Sequence, residues 1–191
     1  MKSIKLLLFA MIATLFIACG TTEDDINDNN DGRKIYDMWD YMTPSDSFQV
    51  EYDIYKDGRK EDYIIETVRV FDDNHVERES EDGLTTLRLR RDAIEVKEPN
   101  GSVVQVQRFV KLGDRDIFKS SSIGRCSLDS FHHGITIKGI EFLRVLKVVC
   151  MDGGKTDEFY YGYDEGIVST YSSNHRGTTE LVKIDERGLN R

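Results

Sequence analysis

The sequence is short of several residue types, and each shortage narrows what the chain can be. Its 191 residues include 2 prolines and 1 tryptophan, beside 15 glycines and 9 tyrosines. Basic residues number 26 against 35 acidic ones, so the formal net charge is −9 at pH 7. Such a chain lacks the positive surface potential that attracts phosphate backbones and anionic lipids. We therefore predict no nucleic-acid partner. Few prolines with many glycines and tyrosines indicate β structure with glycine-marked turns.

The chain also lacks an apolar run long enough to cross a membrane as a helix. The uncharged stretch Leu6–Ala18 has 13 residues, whereas a spanning helix needs about 20. Lys2 and Lys5 precede this stretch, and an acidic segment follows it. A positive start, a short apolar run and a polar flank are typical of a secretory signal peptide. We therefore assign residues 1–18 to an export signal.

The predicted signal ends in "FIAC", which is Phe16, Ile17, Ala18 and Cys19. This stretch resembles the lipobox of bacterial lipoproteins, with Phe16 where leucine is usual and Ile17 where a small residue is usual. The resemblance implies diacylglycerol on the Cys19 sulfur, cleavage before Cys19 and acylation of the new amine, for example by palmitate. Each buried methylene contributes about 0.8 kcal/mol, so two or three chains anchor a protein permanently. Gly20 in place of aspartate after the cysteine implies the outer membrane, with the domain facing the periplasm.

Residues 19–33 are acidic, and the stretch Gly20–Gly32 contains one apolar side chain, Ile26. A segment of this composition cannot bury enough surface to fold, and it reads as a flexible tether between lipid and domain. The stretch Asn27–Gly32 matches the first half of a calcium-binding loop, but Met38 stands where that loop needs a bidentate glutamate. We favour the solvated tether and predict no metal and no cofactor.

A short helix is predicted over residues 34–42. Its apolar residues recur at helical spacing, as Ile35, Met38, Trp39 and Met42. The helix should end at Thr43, because a residue before proline avoids the helical region. A face of tryptophan and methionine could form a ligand platform, but we favour a face that caps one end of a β core.

From residue 48 onwards the apolar period changes to two. "FQVEYDI" places Phe48, Val50, Tyr52 and Ile54 on one face, and Asp57-Gly58 marks a hairpin turn. Ten further runs have strand character: Tyr63–Phe71, Val76–Ser80, Leu84–Arg90, Ala93–Lys97, Val103–Val110, Gly134–Lys138, Ile140–Cys150, Glu158–Tyr163, Ile167–Ser172 and Thr179–Ile184. Short strands at this spacing predict a mainly β domain over 34–185, an antiparallel meander that forms a barrel, half-barrel or sandwich. Residues 186–191 would be a C-terminal tail.

Two regions depart from this alternation. Ile140–Cys150 is apolar on both faces, which predicts the central, most covered strand. Between Leu112 and Ser130 the alternation fails, and within this region "KSSSIG", residues 119–124, is expected to form an exposed loop. No helix of ten or more residues is predicted after Pro44.

The 3 cysteines leave an odd thiol to explain. If lipid occupies Cys19, then Cys126 and Cys150 are free to pair, and export places them in an oxidising compartment. Such a bridge would contribute about 3 kcal/mol on the chain-entropy model. The alternative is two buried free thiols, and we favour the disulfide.

The sequence contains no nucleophile elbow, phosphate loop, dinucleotide fingerprint or zinc-type spacing of cysteine and histidine. His132 and His133 are adjacent and would face opposite sides of a strand. The acidic residues alternate outward on strands, where solvation is the default. We therefore predict no enzymatic activity.

One aromatic stretch could form a binding surface. "DEFYYGYDEGIVSTY", residues 157–171, is similar to the aromatic-strand, glycine-turn hairpins of many small β-rich bacterial lipoproteins. The candidate binding surface is Trp39, Tyr160, Tyr161 and Tyr163. Tyrosines more often fill a barrel wall, and we favour that role.

Three function classes follow. The leading one is a lipid-anchored envelope lipoprotein whose β domain acts as a binding or envelope-support module, with an envelope protein or a small apolar ligand as partner. The second is a carrier or chaperone for apolar molecules such as lipids or lipoproteins, similar to Lol-type half-barrels, with the Trp39 helix as plug. It requires an apolar cavity. The third, an envelope hydrolase, requires a convergent pair of buried acids.

Overall fold

The structure, a computed structural model, describes residues 34–119 and 124–188. The predicted signal peptide, the predicted lipidation site Cys19, the predicted tether over residues 19–33 and the calcium-loop match at Asn27–Gly32 lie outside these ranges. Within them, no helix is long and apolar enough to span a membrane. The elements are β1 Tyr36–Asp37, α1 Met38–Met42, β2 Phe48–Lys56, β3 Arg59–Asp72, β4 His75–Ser80, β5 Gly83–Leu89, β6 Ala93–Lys97, β7 Val103–Gln107, β8 Phe109–Val110, β9 Phe118–Lys119, β10 Arg125–Ile137, β11 Ile140–Asp152, β12 Lys155–Gly162, β13 Gly166–Asn174 and β14 Gly177–Gly188.

Twelve of these strands form one antiparallel sheet in the order β10-β11-β12-β13-β14-β2-β3-β4-β5-β6-β7-β9, and β1 pairs with β8. Most neighbours are consecutive in the chain, so the sheet is a meander, and β14 pairs with β2 to join its two halves. The mainly β, antiparallel prediction with one short helix is confirmed. Strand β14 extends to Gly188, so residues 186–188 belong to the sheet.

The segment that precedes and includes β9 brings the two ends of the sheet together. The amide of Gln107 in β7 donates to the carbonyl of Ile117 at 2.8 Å, and the amide of Ile117 donates to Cys126 in β10 at 3.2 Å. The amide of Leu128 donates to Asp114 at 3.0 Å. The sheet is therefore a nearly closed barrel, rather than the half-barrel or sandwich that the sequence left open. Register shifts in several ladders mark bulges, which bend strands as closure requires.

The alternation predicted for β2 is confirmed. Phe48, Val50 and Tyr52 are buried, whereas Gln49 is exposed. On the other face Asp53 is also buried, where the Lys60 ammonium pairs with its carboxylate at 2.6 Å. Apolar side chains of the inward face form the main core, to which nearly every strand contributes.

The predicted hairpin turn at Asp57-Gly58 also occurs. Both residues have positive φ, 47° and 77°, as a two-residue turn between twisted strands requires. Asp57 additionally accepts a hydrogen bond from the amide of Thr178 at 2.9 Å, which ties this turn to β14.

The helix is shorter than predicted. Residues 36–37 form strand β1, and α1 begins at Met38, because Asp37 caps it by accepting from the amide of Trp39 at 3.0 Å. Ile35, assigned to the apolar face, is exposed, whereas Tyr41 is buried. The predicted end is right, since the Thr43 amide and hydroxyl both donate to the carbonyl of Trp39.

The two regions that depart from alternation have different outcomes, and only the prediction for Ile140–Cys150 was wrong. Most of the loop predicted at residues 119–124 lies outside the described ranges, and β10 begins directly after it, at Arg125. Ile140–Cys150 lies in β11, which is second from the end of the sheet order, not central. Its apolar residues on the second face have another explanation, given next.

A second hydrophobic cluster lies on the opposite side of β13 and β14 from the main core. Phe142, Val145, Val168 and Val182 are its buried members. Residues 140–144, the first part of β11, have no partner in β12, and Arg144 has a positive φ of 54°. The tip of the β10–β11 hairpin therefore turns away from the sheet and covers its outer face, where Lys138 pairs with Glu180 at 3.0 Å.

Candidate functional site

The barrel interior contains a cavity of about 310 Å³. Inward-facing side chains from most strands and one residue of α1 line it. These are Met42, Tyr52, Ile64, Glu66, Arg78, Thr85, Leu87, Val96, Glu98, Val104, Val106, Phe118, Phe159, Tyr161, Ile167, Thr170 and Leu181. A mostly apolar concavity with a few convergent polar groups, at the small end of the usual ligand-site range, is the form that binding sites for small molecules take.

Helix α1 lies at one end of this cavity. Met42 contributes to the lining, and Gly166 of β13 packs directly against the helix end. A Cβ at Gly166 would lie 3.3 Å from the Met42 carbonyl oxygen, and its φ of 74° also favours glycine. The helix therefore closes this end, as the predicted capping face requires.

The other end of the cavity reaches the surface between two turns. Ile64, Glu66, Thr85 and Glu98 line both the cavity and a depression at the rim. The depression is completed by Ser80 at the end of β4, Asp82 of the β4–β5 turn, and Pro99 and Asn100 of the β6–β7 turn. The rim is acidic, so the mouth disfavours the approach of anions.

One cationic side chain lies inside the cavity. The Arg78 guanidinium donates to Glu66 Oε2 through Nε at 3.0 Å and through Nη2 at 2.5 Å, and Nη2 also donates to the Tyr52 hydroxyl at 3.1 Å. The Arg78 and Glu66 side chains are 10% and 17% exposed. Burial raises the pKa of Tyr52 to about 12, although the neighbouring guanidinium acts to lower it. Two opposite charges held this close cancel each other's field at longer range.

Tyr161 is a buried polar residue of a different kind. It is 3% exposed and lines the cavity on β12, stacked near Phe159 with ring centroids 6.3 Å apart. Burial raises the pKa of its phenol, and the charge of Arg78 partly offsets that effect. Within residues 34–119 and 124–188 its hydroxyl has no hydrogen-bond partner. A buried phenol usually finds one, so this hydroxyl is available to a ligand.

The structure does not assemble the predicted binding surface of Trp39, Tyr160, Tyr161 and Tyr163. Tyr161 faces the cavity, but Tyr160, its neighbour in sequence, lies on the opposite face, where its hydroxyl donates to Glu158 at 2.7 Å. Adjacent strand residues face opposite sides, so these two rings cannot share a surface. Trp39 and Tyr163 do come together, but in a separate groove beside α1.

That groove has a volume of about 600 Å³ and a polar character. Its acidic residues are Asp40, Asp72, Asp73 and Asp164, all of them exposed. The Asp164 carboxylate accepts hydrogen bonds from the amide and hydroxyl of Ser45, and burial, with a contribution from Asp37, raises the pKa of Asp40. The buried, convergent acid pair required by the hydrolase hypothesis is not found in this groove.

The histidines do not form a metal centre in the described ranges, where no group of three His, Cys, Asp or Glu residues could hold a metal ion. His132 Nε2 lies 3.0 Å from the Ser130 hydroxyl, while the His133 ring packs against Phe131 at 4.9 Å. The two rings therefore face opposite ways, as predicted. Burial, with a contribution from Lys147, lowers the pKa of His132.

Cys126 and Cys150 form a disulfide, the pairing that the cysteine count favours. They are directly opposite in the β10–β11 ladder, with a Cα–Cα distance of 4.0 Å, and both are buried. The bridge fixes the beginning of β10 at the point where Ile117 binds it and the barrel closes.

The sequence reasoning missed Arg78 and Glu66, although a signal for each was present. Arg78 is two residues beyond Val76, and Glu66 lies between Ile64 and Val68 at the same spacing. With period two, each charge falls on an apolar inward face, and a charge there must be paired. The signal was lost among the many charged residues that alternate outward.

Comparisons with known proteins add little to this geometry. No family model matches the chain, and no curated protein matches it. Among solved structures, it is similar to a Bacteroides fragilis protein whose name describes it as a candidate exported protein with a YmcC-like fold. The two share 11% sequence identity with a TM-score of 0.49, over 77% of this chain and 98% of that one.

Proposed function

We propose that the protein is a lipid-anchored binding module of the bacterial cell envelope, whose barrel interior holds a small apolar ligand. The observation that carries the proposal is the cavity of about 310 Å³, lined mainly by apolar side chains and open at the rim. Unfilled apolar space forfeits dispersion contacts that ordinary packing would supply. An apolar ligand would restore those contacts, which gives it a reason to bind.

The anchor belongs to the same proposal. The resemblance of "FIAC" to a lipobox supports acylation of Cys19, and the acidic stretch after it supports a tether that holds the domain away from the membrane. We propose the outer membrane, with the barrel facing the periplasm. A Cys19→Ser variant should leave the membrane fraction for the soluble fraction. Continued sedimentation with membranes after a high-salt wash would contradict the anchor and leave the cavity proposal untouched.

Ligand binding can be tested by filling the cavity. Thr85 of β5 lines the cavity, and its neighbour Thr86 lies on the outer face with Arg88 and Glu95. In the Cys19→Ser chain, a fluorescent naphthyl probe should bind in the cavity and be displaced by apolar molecules. Thr85→Trp should abolish the binding of this probe. Thr86→Trp, the matched control, should bind as the parent does. Equal binding by both variants would place the ligand site elsewhere.

A carrier is the second candidate, favoured by the helix that closes one end and the rim that opens at the other. The barrel is nearly closed, so a carrier of this form would load through the rim and not along an open half-barrel groove. Transfer of a bound probe to vesicles at a rate that rises with vesicle concentration would distinguish a carrier from a module that only holds its ligand.

A further inference from the structure

The polar side chains around the deep part of the cavity restrict which ligand the barrel can hold. Tyr161 offers a hydroxyl that has no partner among the described residues, and it lies within the electrostatic reach of Arg78. The guanidinium is committed to Glu66 and Tyr52 through Nε and Nη2, and no hydrogen bond within the described ranges uses Nη1. This part of the cavity therefore presents unused donors, and a ligand must supply an acceptor.

The charge of that acceptor is restricted as well. The lining contains one cationic side chain, Arg78, and two anionic ones, Glu66 and Glu98. Glu66 already neutralises Arg78, and Glu98 and Asp82 add negative charge at the rim. A carboxylate or phosphate would have to pass this rim and then compete with Glu66 for the guanidinium, which like-charge repulsion opposes.

We infer that the cavity selects a neutral apolar molecule bearing a carbonyl or ester oxygen, with that oxygen hydrogen-bonded to the Tyr161 hydroxyl, and that it rejects fatty-acid carboxylates. This inference rests on the proposed function and names the ligand class of the same cavity. It gives a role to a phenol that lines the cavity and makes no hydrogen bond within residues 34–119 and 124–188.

Three probes of equal chain length test the inference in the Cys19→Ser chain: methyl hexyl ketone, octanoate and octane. Each is measured by displacement of a fluorescent naphthyl probe. The ketone should bind best. Tyr161→Phe should weaken the ketone about fivefold, the usual effect of one hydrogen bond, and leave octane unchanged. Tyr160→Phe, which alters the neighbouring phenol on the outer face, is the matched control and should change no affinity.

Glu66→Gln tests the charge argument separately. It leaves Arg78 positive and without its carboxylate partner, so octanoate should bind on the order of tenfold more tightly than to the parent. Thermal unfolding of each variant in the absence of probe establishes that the fold is intact, and Glu66→Asp, which keeps the charge, should not bind octanoate more tightly.

The outcomes separate the two proposals. If no probe binds the parent chain, the proposed function is overturned. If all three bind but Tyr161→Phe affects ketone and octane equally, or if the parent prefers octanoate, the ligand-class inference is overturned and the binding function stands.

Discussion

The two ends of the barrel interior are built from the same alternating strands, yet one is filled and the other is hollow. At the end that α1 closes, Met38, Ile94 and Val110 are all 0% exposed and belong to the main hydrophobic core. Toward the rim, Thr85 and Glu98 line the cavity together with apolar side chains of the strands, and the interior is not filled. The filled end supplies stability, and the hollow end supplies space.

The two ends differ because a helix and the strands both supply side chains to one end, whereas the strands alone supply them to the other. At the filled end a helix inserts methionine and aromatic side chains across the barrel axis, so the interior is closed from a second direction. At the hollow end only the strands contribute, and a twelve-stranded barrel is too wide for their side chains alone to fill. Replacements at matched positions in the two ends should therefore differ in cost.

The largest expected difference in stability is between two ion pairs that join β3 and β4, one inside the barrel and one on its outer face. Arg78→Met should lower the free energy of unfolding by about 4 kcal/mol, because it leaves Glu66 inside the cavity without a partner. Arg69→Met removes the partner of Glu79, where both side chains are about half exposed, and should cost less than about 1 kcal/mol. Urea denaturation measures both. Similar costs would mean that water reaches the inner pair freely.

The next effect compares the two ends directly. Met38→Ala should lower the free energy of unfolding by about 3 kcal/mol, because it opens a void in a fully packed region. Leu181→Ala, at the half-buried cavity wall, should cost about 1 kcal/mol, since its side chain already borders empty space. If Leu181→Ala proved as costly as Met38→Ala, the hollow end would be packed in solution and the comparison would fail.

The disulfide should matter as much for local opening as for overall stability. Replacing Cys126 and Cys150 together by alanine should lower the free energy of unfolding by about 3 kcal/mol. Hydrogen exchange should rise most over residues 113–119, which bind β10 where the barrel closes, and little around α1. Uniform acceleration across the chain would show that the bridge acts on the whole fold and not on the closure.

The smallest expected effect is a loss of stability at alkaline pH, caused by the ionisation of two buried tyrosines, one from each end. Burial raises the pKa of Tyr41, beside α1, and of Tyr52, in the cavity, to about 12 in each case. A raised folded pKa gives stability that is complete below about pH 10 and is lost as pH rises toward 12. Each tyrosine should therefore account for about 1 kcal/mol of destabilisation near pH 11.

Phenylalanine variants measure this loss residue by residue. Tyr41→Phe and Tyr52→Phe should each flatten the alkaline fall in stability by a similar amount. A ligand held in the cavity should delay ionisation of Tyr52 and leave Tyr41 unchanged, as followed by ultraviolet absorbance. Equal ligand effects on both tyrosines would mean that the ligand does not bind at the hollow end.

Local chemistry explains where the sequence reasoning succeeded. The β2 face, the Asp57-Gly58 turn and the end of α1 before Pro44 depend on residues close in the chain, and all three are confirmed. The start of the helix was wrong because Asp37 is fixed by Arg108, 71 residues away, which places the cap later than the apolar spacing suggested. Long-range contacts of this kind leave no local pattern.

The candidate site could be predicted only in part. The sequence predicted an aromatic strand at β12. Because adjacent strand residues face opposite sides, it also implied that Tyr160 and Tyr161 lie on different faces. The partnership of Arg78, Glu66 and Tyr52 was not visible, because it depends on the register of β2, β3 and β4. A shift of one residue in any of these strands would point a charge outward.

The sequence by itself determined the strand-rich class, the local turns, the inward faces and the acidic, non-basic character of the chain, because each depends on composition or on spacing within a few residues. The tertiary structure alone decided that the meander closes into a barrel, that α1 fills one end, and that the interior keeps a cavity lined by the Tyr161 phenol. Those features depend on strand register, strand number and the space left between side chains from distant parts of the chain.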